Sequence, residues 1–424
     1  MGKRKTEQKK IYVYADWKAL NGIQLMGLLY ASPSKGKEVF SFEYDPAWLK
    51  SARNNLDPNL QFYSGPQYLP NEQANFGIFL DSSPDRWGRV LMRRREAQQA
   101  RKEKRPAITL LESDYLLGVF DGPRMGGLRF KTELEGPFLD SNEEMASPPW
   151  TELRELEYAS LQLEKDEAEK EKDYMKWLKL LVAPGGSLGG ARPKASVVDK
   201  NGELWIAKFP SKNDDLNIGG WEITVHELAM MSKINTSPAQ LKRFTGNYDT
   251  FLTKRFDRES GQRIHFASAM TLLNRKDGDG AEEGVSYIDL ADFLIQHGSQ
   301  VSTDLSELWR RIVFNIFVSN VDDHLRNHGF ILDEKGWKLS PAYDMNPSET
   351  GNGLKLNITK DDNSQSLDLA LEAAKYFRLS DSEAKKILNE VHGAVRQWKD
   401  IANRHVAAKE ISRMEHAFRL IEQV

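Results

Sequence analysis

The hydrophobic and polar positions change their rhythm along the chain. Over residues 11–45 they alternate, in the runs IYVYADW, IQLMGLLYA and VFSFEY, with breaks at Leu20-Asn21-Gly22 and Ser34-Lys35-Gly36. A period of two between such breaks predicts strands, here of a small antiparallel sheet. The pattern then predicts a helix over 71–104, with FGIFL as its apolar part, and a strand near MGGLRF that closes the first unit. The stretch EGPFLDSNEEMASPPW (135–150) is polar, holds three prolines and reads as a linker. Residues 151–181 predict one highly charged helix without sustained apolar heptads.

From about residue 185 the grammar changes. A Gly-rich loop precedes strands at SVVD and LWIAKFP, a helix is expected over 220–234, and FLTKRF reads as a strand. Helices dominate from 285 to the end. The expected organisation is a β-rich subdomain at 11–135, a linker and charged helix at 136–182, a mixed region at 183–260 and a helical region at 261–424.

Composition narrows the classes. A chain of 424 residues, 40% hydrophobic and 29% charged, suits a globular protein of two or three structural units. The net charge of −3 announces no general nucleic-acid binder. Base is concentrated at Arg89, Arg93, Arg94, Arg95, Arg101, Lys102, Lys104 and Arg105, which reads as a solvated helix face or a contact for an acidic partner. Cysteine is absent, which removes disulfides, thiolate metal sites and a cysteine nucleophile. No apolar run approaches the roughly 20 residues that span a bilayer, so no membrane association is expected. The opening MGKRKTEQKK lacks the apolar core of a signal peptide. Gly2 and Thr6 fit a loose myristoylation pattern that a plain polar terminus explains better. A cytoplasmic protein is expected.

The candidate chemistry starts at 183–194, where four glycines surround Ser187. Glycine lets backbone N–H groups turn toward an anion, so such a loop can cradle phosphates. Alone it is also an ordinary flexible turn. The strand Trp205-Ile206-Ala207-Lys208-Phe209 follows, with a lysine among apolar residues, as in the strand lysine that protein kinases place on ATP phosphates. Glu222 and Glu227 in the next helix could each pair with Lys208, or both could be solvated. The run DLSELWRRIVFNIF (304–317) has apolar residues at helical spacing, and Asp304 with Glu307 has the spacing of a capping box.

That helix leads into Asp322-Asp323-His324-Leu325-Arg326-Asn327. Asp322 and Asn327 have the separation of the kinase catalytic loop, whose aspartate accepts the proton of the attacking hydroxyl and whose asparagine offers an oxygen to magnesium. A hairpin of Phe330–Leu332 and Trp337–Leu339 then delivers Ser340-Pro341-Ala342-Tyr343-Asp344, a second carboxylate where kinases place a magnesium ligand. The order of these parts points to phosphoryl transfer. Two other chemistries fit less well. One is a metal phosphohydrolase with Asp322-Asp323-His324 as its metal cluster. Gly185-Gly186-Ser187-Leu188-Gly189 has the letters of a hydrolase elbow, but no strong apolar strand enters it and no helix follows.

These motifs resemble the HipA-type serine/threonine kinases, toxins of bacterial type II toxin–antitoxin modules. Phe79–Arg89 resembles the family's LLPDGWGR-like segment, and Ser187–Lys194 its S-x-x-GAQPK-like loop. Ile206–Pro210 resembles IIKLP, and Arg255–Arg258 resembles RFDR. Asp322–Asn327 resembles DxHxKN, and Ser340–Asp344 resembles LTPxYD. The resemblance implies an α+β fold with a protein-kinase-like two-lobe core, an N-terminal β-rich subdomain and an all-helical C-terminal lobe. It implies ATP and Mg²⁺ as cofactors. By the same likeness Asp322 would be the base, Asn327 and Asp344 would hold Mg²⁺, and Lys208 would hold the phosphates. Gly189 and Gly190 would line the phosphate loop, the backbone near Lys254 and Phe256 would meet adenine, and His324 would lie beside the nucleotide. Ser187 would be autophosphorylated, which would expel its loop from the ATP site.

The implied partner is a small helix-turn-helix antitoxin of HipB type, with DNA met only through it. Family targets are aminoacyl-tRNA synthetases, which makes such an enzyme the expected protein substrate. Arg192 stands where the family loop has Gln, and Arg326 where its motif has Lys, a change that keeps the charge but not the geometry. Two alternatives stay open. One is a catalytically weak kinase-fold corepressor that acts through a DNA-binding partner. The other is a small-molecule kinase on the same core.

Overall fold

The structure is a computed structural model. It describes the whole chain except residues 1–6, 52–53, 70–72, 144–145, 183–189, 191, 245 and 424. Two compact units emerge, one of residues 1–213 with 257–267 and one of 214–256 with 268–424. No helix among the described residues is long and apolar enough to cross a membrane.

In the first unit the alternating runs form β1 (Lys9–Ala15), β2 (Gln24–Ser34), β3 (Lys37–Tyr44), β4 (Gln67–Tyr68) and β5 (Leu128–Lys131). They make an antiparallel sheet of order β4-β3-β2-β1-β5. Ile11, Val13 and Ala15 of β1 are buried together with Leu29 and Ala31 of β2, as a period of two requires.

The helix expected over 71–104 is two helices, α2 (Gly77–Asp81) and α3 (Arg86–Lys102), after the short α1 (Pro46–Ser51). Pro84 lacks an N–H and ends the run. Asp85 starts a new helix by accepting the Gly88 N–H at 2.7 Å. The basic positions are partly spent inside the unit. Arg89 makes a two-pronged pair with Glu112, Arg94 donates to the Leu163 carbonyl, and Arg105 pairs with Glu96.

The single charged helix of 151–181 is likewise two, α5 (Leu153–Leu163) and α6 (Tyr174–Val182), which follow α4 (Glu112–Leu117). The acidic and basic run between them offers almost nothing apolar to bury, so helix stops there and resumes at Tyr174. The two helices pack through Tyr158 and Trp177, whose rings are 6.3 Å apart. After the Gly-rich stretch, β6 (Lys194–Val198) and β7 (Leu204–Lys208) form a hairpin.

The second unit starts with α7 (Ile218–Met231) and the hairpin of β8 (Ala239–Lys242) and β9 (Thr250–Lys254). The short α8 (Ala269–Leu272) precedes α9 (Tyr287–His297) and α10 (Val301–Val318). Leu305, Leu308, Trp309, Ile312, Val313, Ile316 and Phe317 of α10 are fully buried, the stripe the spacing predicted. The capping box at Asp304 and Glu307 is absent. The helix begins a turn earlier, at Val301, and other partners claim both carboxylates: Asp304 accepts the Leu339 N–H at 3.0 Å, and Glu307 accepts from Arg311, one turn on in the same helix, and from the Asn235 N–H. The strands Gly329–Leu332 and Trp337–Leu339 form the expected hairpin, an irregular segment follows, and helical segments carry the chain from Leu367 on.

Candidate active site

The segment after α10 is built by its first residues. Ser319 ends the helix in the left-handed region, φ 49°. Its hydroxyl donates to the Ala417 carbonyl at 2.6 Å, and Asn320 donates back to the Asn315 carbonyl at 2.9 Å and to the Asn315 side chain at 3.1 Å. The chain leaves the helix along one fixed path.

Two adjacent aspartates then receive opposite environments. Asp323 is buried, and its Oδ2 accepts from Asn315 Nδ2 at 2.7 Å, Tyr287 OH at 2.8 Å and His328 Nε2 at 2.9 Å. Burial pushes its carboxyl up, but His328 and the hydrogen bonds outweigh that and hold it below its ordinary value. Asp323 is therefore an ionised anchor. Asp322 is exposed on the same loop. The sequence reading missed Asp323, Asn315, Tyr287 and His328 as a group. Their one signal is an asparagine inside an otherwise apolar helical stripe, Phe314-Asn315-Ile316.

The spacing of Asp322 and Asn327 has a local cause. The Asp322 carbonyl accepts from the His324 N–H at 2.8 Å and from Asn327 Nδ2 at 3.0 Å. A short 3-10 turn, Leu325–Asn327, closes the loop. Because the amide nitrogen of Asn327 is turned to Asp322, its oxygen faces the other way as an acceptor. His324 is half-buried, and its Nδ1 has no partner among the described residues.

The segment bearing Asp344 is fastened to this loop. Tyr343 donates its hydroxyl hydrogen to the Arg326 carbonyl at 2.8 Å, one residue before Asn327. The Tyr343 ring lies 5.6 Å from that of Phe256, the residue expected beside adenine. Ala342 donates to the Asn235 carbonyl at 2.8 Å, and Arg311 donates to the Ser340 carbonyl at 2.8 Å. Asp344 itself is half-buried with φ 60°, a backbone uncommon outside glycine and recurrent at functional sites. An amide oxygen and a carboxylate are hard oxygen donors, which fits Mg²⁺. Lys254, also expected beside adenine, ends β9, and its N–H donates to the Pro238 carbonyl at 2.8 Å.

Of the two candidate glutamates in α7, Glu227 is held at its carboxylate by Arg404 at 2.7 Å and His405 at 2.8 Å, while Glu222 is buried. Lys208 and Gly190 belong to the first unit. Lys208 ends β7 in the expected alternation, with Trp205 and Ala207 buried. Gly190 has φ 82°. Ser187 and Gly189 lie outside the described residues.

This loop and hairpin stand in the second unit of an α+β chain. Residues 186–398, half of the chain, match the family described as the HipA-like C-terminal domain, and the chain belongs to that family. It is 35% identical over 102 residues to a putative kinase of Haemophilus influenzae and 26% identical over 182 residues to the putative kinase Y4mE of Sinorhizobium fredii. Those matches cover 22% and 38% of this chain, and 30% and 41% of the relatives' lengths. The fold is similar to that of HipA in the Shewanella oneidensis complex of HipA, HipB and operator DNA. The TM-score is 0.64 at 16% identity, over 96% of this chain and 95% of that one.

Proposed function

We propose that the chain is a Mg-ATP-dependent serine/threonine protein kinase. The observation that carries this reading is the contrast between Asp322, exposed, and Asp323, buried and hydrogen-bonded three times on one oxygen. The buried carboxylate fixes the loop, so its neighbour can accept a proton from a protein hydroxyl as that oxygen attacks the γ-phosphorus, while the bond from the γ-phosphorus to the β–γ bridging oxygen breaks and ADP leaves. Asn327 and Asp344 supply the metal's oxygen ligands. When bound, Mg²⁺ neutralises charge on the phosphates. Lys208 and the Gly189–Gly190 backbone hold the phosphates, the backbone near Lys254 and Phe256 meets adenine, and His324 lies beside the nucleotide. Glu222 is the partner of Lys208, because Glu227 is committed elsewhere. Catalysis in this scheme is mostly positioning and charge stabilisation.

Ser187 is the autophosphorylation site in this reading, and a phosphate there keeps its loop out of the ATP site. The partner is a helix-turn-helix antitoxin, as HipB partners HipA in the Shewanella complex, and DNA is met through it. The protein target is an aminoacyl-tRNA synthetase, the class the family resemblance implies. The test is incubation of purified chain with labelled Mg-ATP, alone and with purified synthetases, beside Asp322→Ala. Label on protein in the wild type and none in the variant is expected. Equal labelling of both removes Asp322 as the base, and no labelling of any protein while ATP binds overturns the kinase reading.

A further inference from the structure

We infer that Asp85 is a positioning residue of the phosphate-binding loop, acting through Lys194 across the first unit. The inference rests on the kinase reading for its functional meaning. Its structural basis is a buried ion pair between two segments far apart in sequence. Asp85 Oδ2 lies 3.3 Å from Lys194 Nζ, and both side chains are only 4% exposed.

Lys194 is the first residue of β6, directly after the Gly-rich stretch. In the β6–β7 ladder it stands opposite Lys208. Residues directly opposite in an antiparallel pair share a face, and like charges there repel. A buried ammonium beside a second lysine needs a carboxylate. Asp85 supplies it. The ammonium also lies against the loop backbone. The Lys194 Nζ lies within 2.9 Å of where a Cβ at Gly190 would stand, and Gly190 has φ 82°, a left-handed backbone that favours glycine.

The carboxylate is itself held in place. Its Oδ1 caps α3 by accepting the Gly88 N–H at 2.7 Å. Arg89 Nε donates to the Pro84 carbonyl at 3.1 Å. Arg124, fully buried, donates to the Ser82 carbonyl at 2.8 Å as well as to three further carbonyls. The turn Ser82–Asp85 is thus anchored on both sides, and its ion pair with Lys194 sets where that ammonium stands. This ties the N-terminal sheet unit to the loop that the kinase reading places on the phosphates.

The chemistry offers a clean pair of variants. Asp85→Asn keeps an oxygen for the Gly88 N–H but removes the charge facing Lys194. Lys194→Met keeps the stem and removes the ammonium. Mg-ATP affinity by calorimetry, melting temperature, and amide exchange over 86–90 and 190–198 are measured on the full chain for both and for the double variant. Asp85→Asn is expected to weaken Mg-ATP by about tenfold and to lower the melting temperature, with an unchanged transfer rate at saturating nucleotide, and Lys194→Met in the double variant is expected to restore part of the lost melting temperature because no buried ammonium is left unpaired. The double variant is expected to be no weaker than the weaker single one, because both act on one pair. Wild-type affinity in Asp85→Asn, or losses that multiply in the double variant, overturn the inference. If the wild type binds no Mg-ATP, the kinase reading fails, and the exchange data judge the pair alone. Faster exchange at 190–198 with 86–90 unchanged then supports it, and unchanged exchange at 190–198 overturns it.

Discussion

Tyr343 donates its hydroxyl hydrogen to the backbone carbonyl of Arg326 at 2.8 Å. That bond joins the segment bearing Asp344 to the loop bearing Asp322 and Asn327. It therefore sets the distance between the two residues assigned to the metal. Tyr343→Phe keeps the ring beside Phe256 and deletes only this bond. The expected stability loss is small, about 1 kcal/mol. The expected functional loss is larger and selective: the Mg²⁺ concentration for half-maximal transfer rises about tenfold while nucleotide affinity without metal stays. An unchanged Mg²⁺ dependence in a metal titration would mean that the bond is structural only.

The neighbouring aspartates should separate cleanly by experiment. Asp322→Ala removes an exposed side chain, so thermal stability should change by less than about 0.5 kcal/mol. Phosphoryl transfer should fall by about 10²–10⁴-fold with ATP binding retained. Asp323→Ala leaves Tyr287, Asn315 and His328 facing an empty site, and should cost about 3–5 kcal/mol in denaturant melts. Similar melts for the two variants would refute the division between anchor and base.

Much of this was readable in sequence, for identifiable reasons. The strands of the first sheet and the stripe of α10 are local periodicities, and packing obeyed them. The loop at 322–327 was visible because its spacing is set by a bond between its own ends, Asn327 to Asp322. The helix over 71–104 broke for a local reason, Pro84 followed by the Asp85 cap. What else failed was decided by distant partners: the capping box at Asp304 and Glu307 lost to Leu339 and Asn235. The Asp323 cluster was hidden because Tyr287 lies 36 residues away from it and Asn315 sits in an apolar helix. The pairing of Glu227 could not be read because Arg404 and His405 come from the far end of the chain.

That pairing gives the next prediction. Glu227→Gln should reduce stability by about 1 kcal/mol, through the lost pairs with Arg404 and His405, and leave transfer within about twofold of wild type. In the proposed pairing with Lys208, Glu222→Gln should lower kcat by at least about tenfold. Kinetics on both variants decide it. A collapse of kcat in Glu227→Gln alone would reverse the assignment.

Asp304 makes stability depend on pH. Burial pushes its carboxyl up to about 6, and the Leu339 N–H and Arg311 only partly oppose that. The folded chain then holds this proton more tightly than the unfolded chain, so stability falls as pH rises from about 4 to about 6. The full penalty stands above that window. Asp304→Asn retains an acceptor for Leu339 and removes the penalty. Against wild type, it should gain up to about 3 kcal/mol at pH 7.5 and nothing below about pH 4. Denaturant melts across pH 3.5–8 test this. A difference that does not vary with pH would show that Asp304 does not titrate as described.

Ser187 carries the regulatory prediction. A phosphate on it adds about −1.5 to −2 charges to a loop proposed to receive the phosphates of ATP. The loop should then be excluded from that site, because its own phosphate competes for the same N–H groups and lysines. The measurement is intact mass and phosphopeptide mapping before and after Mg-ATP, on wild type, Asp322→Ala and Ser187→Ala. One added phosphate on Ser187, absent from both variants, is expected. Phosphorylated wild type should also bind Mg-ATP at least about tenfold more weakly than Ser187→Ala. Incorporation at another residue in Ser187→Ala, equal in amount to wild type, would move the switch out of the Gly-rich loop. Full ATP affinity in the phosphorylated chain would leave the modification without the inhibitory role.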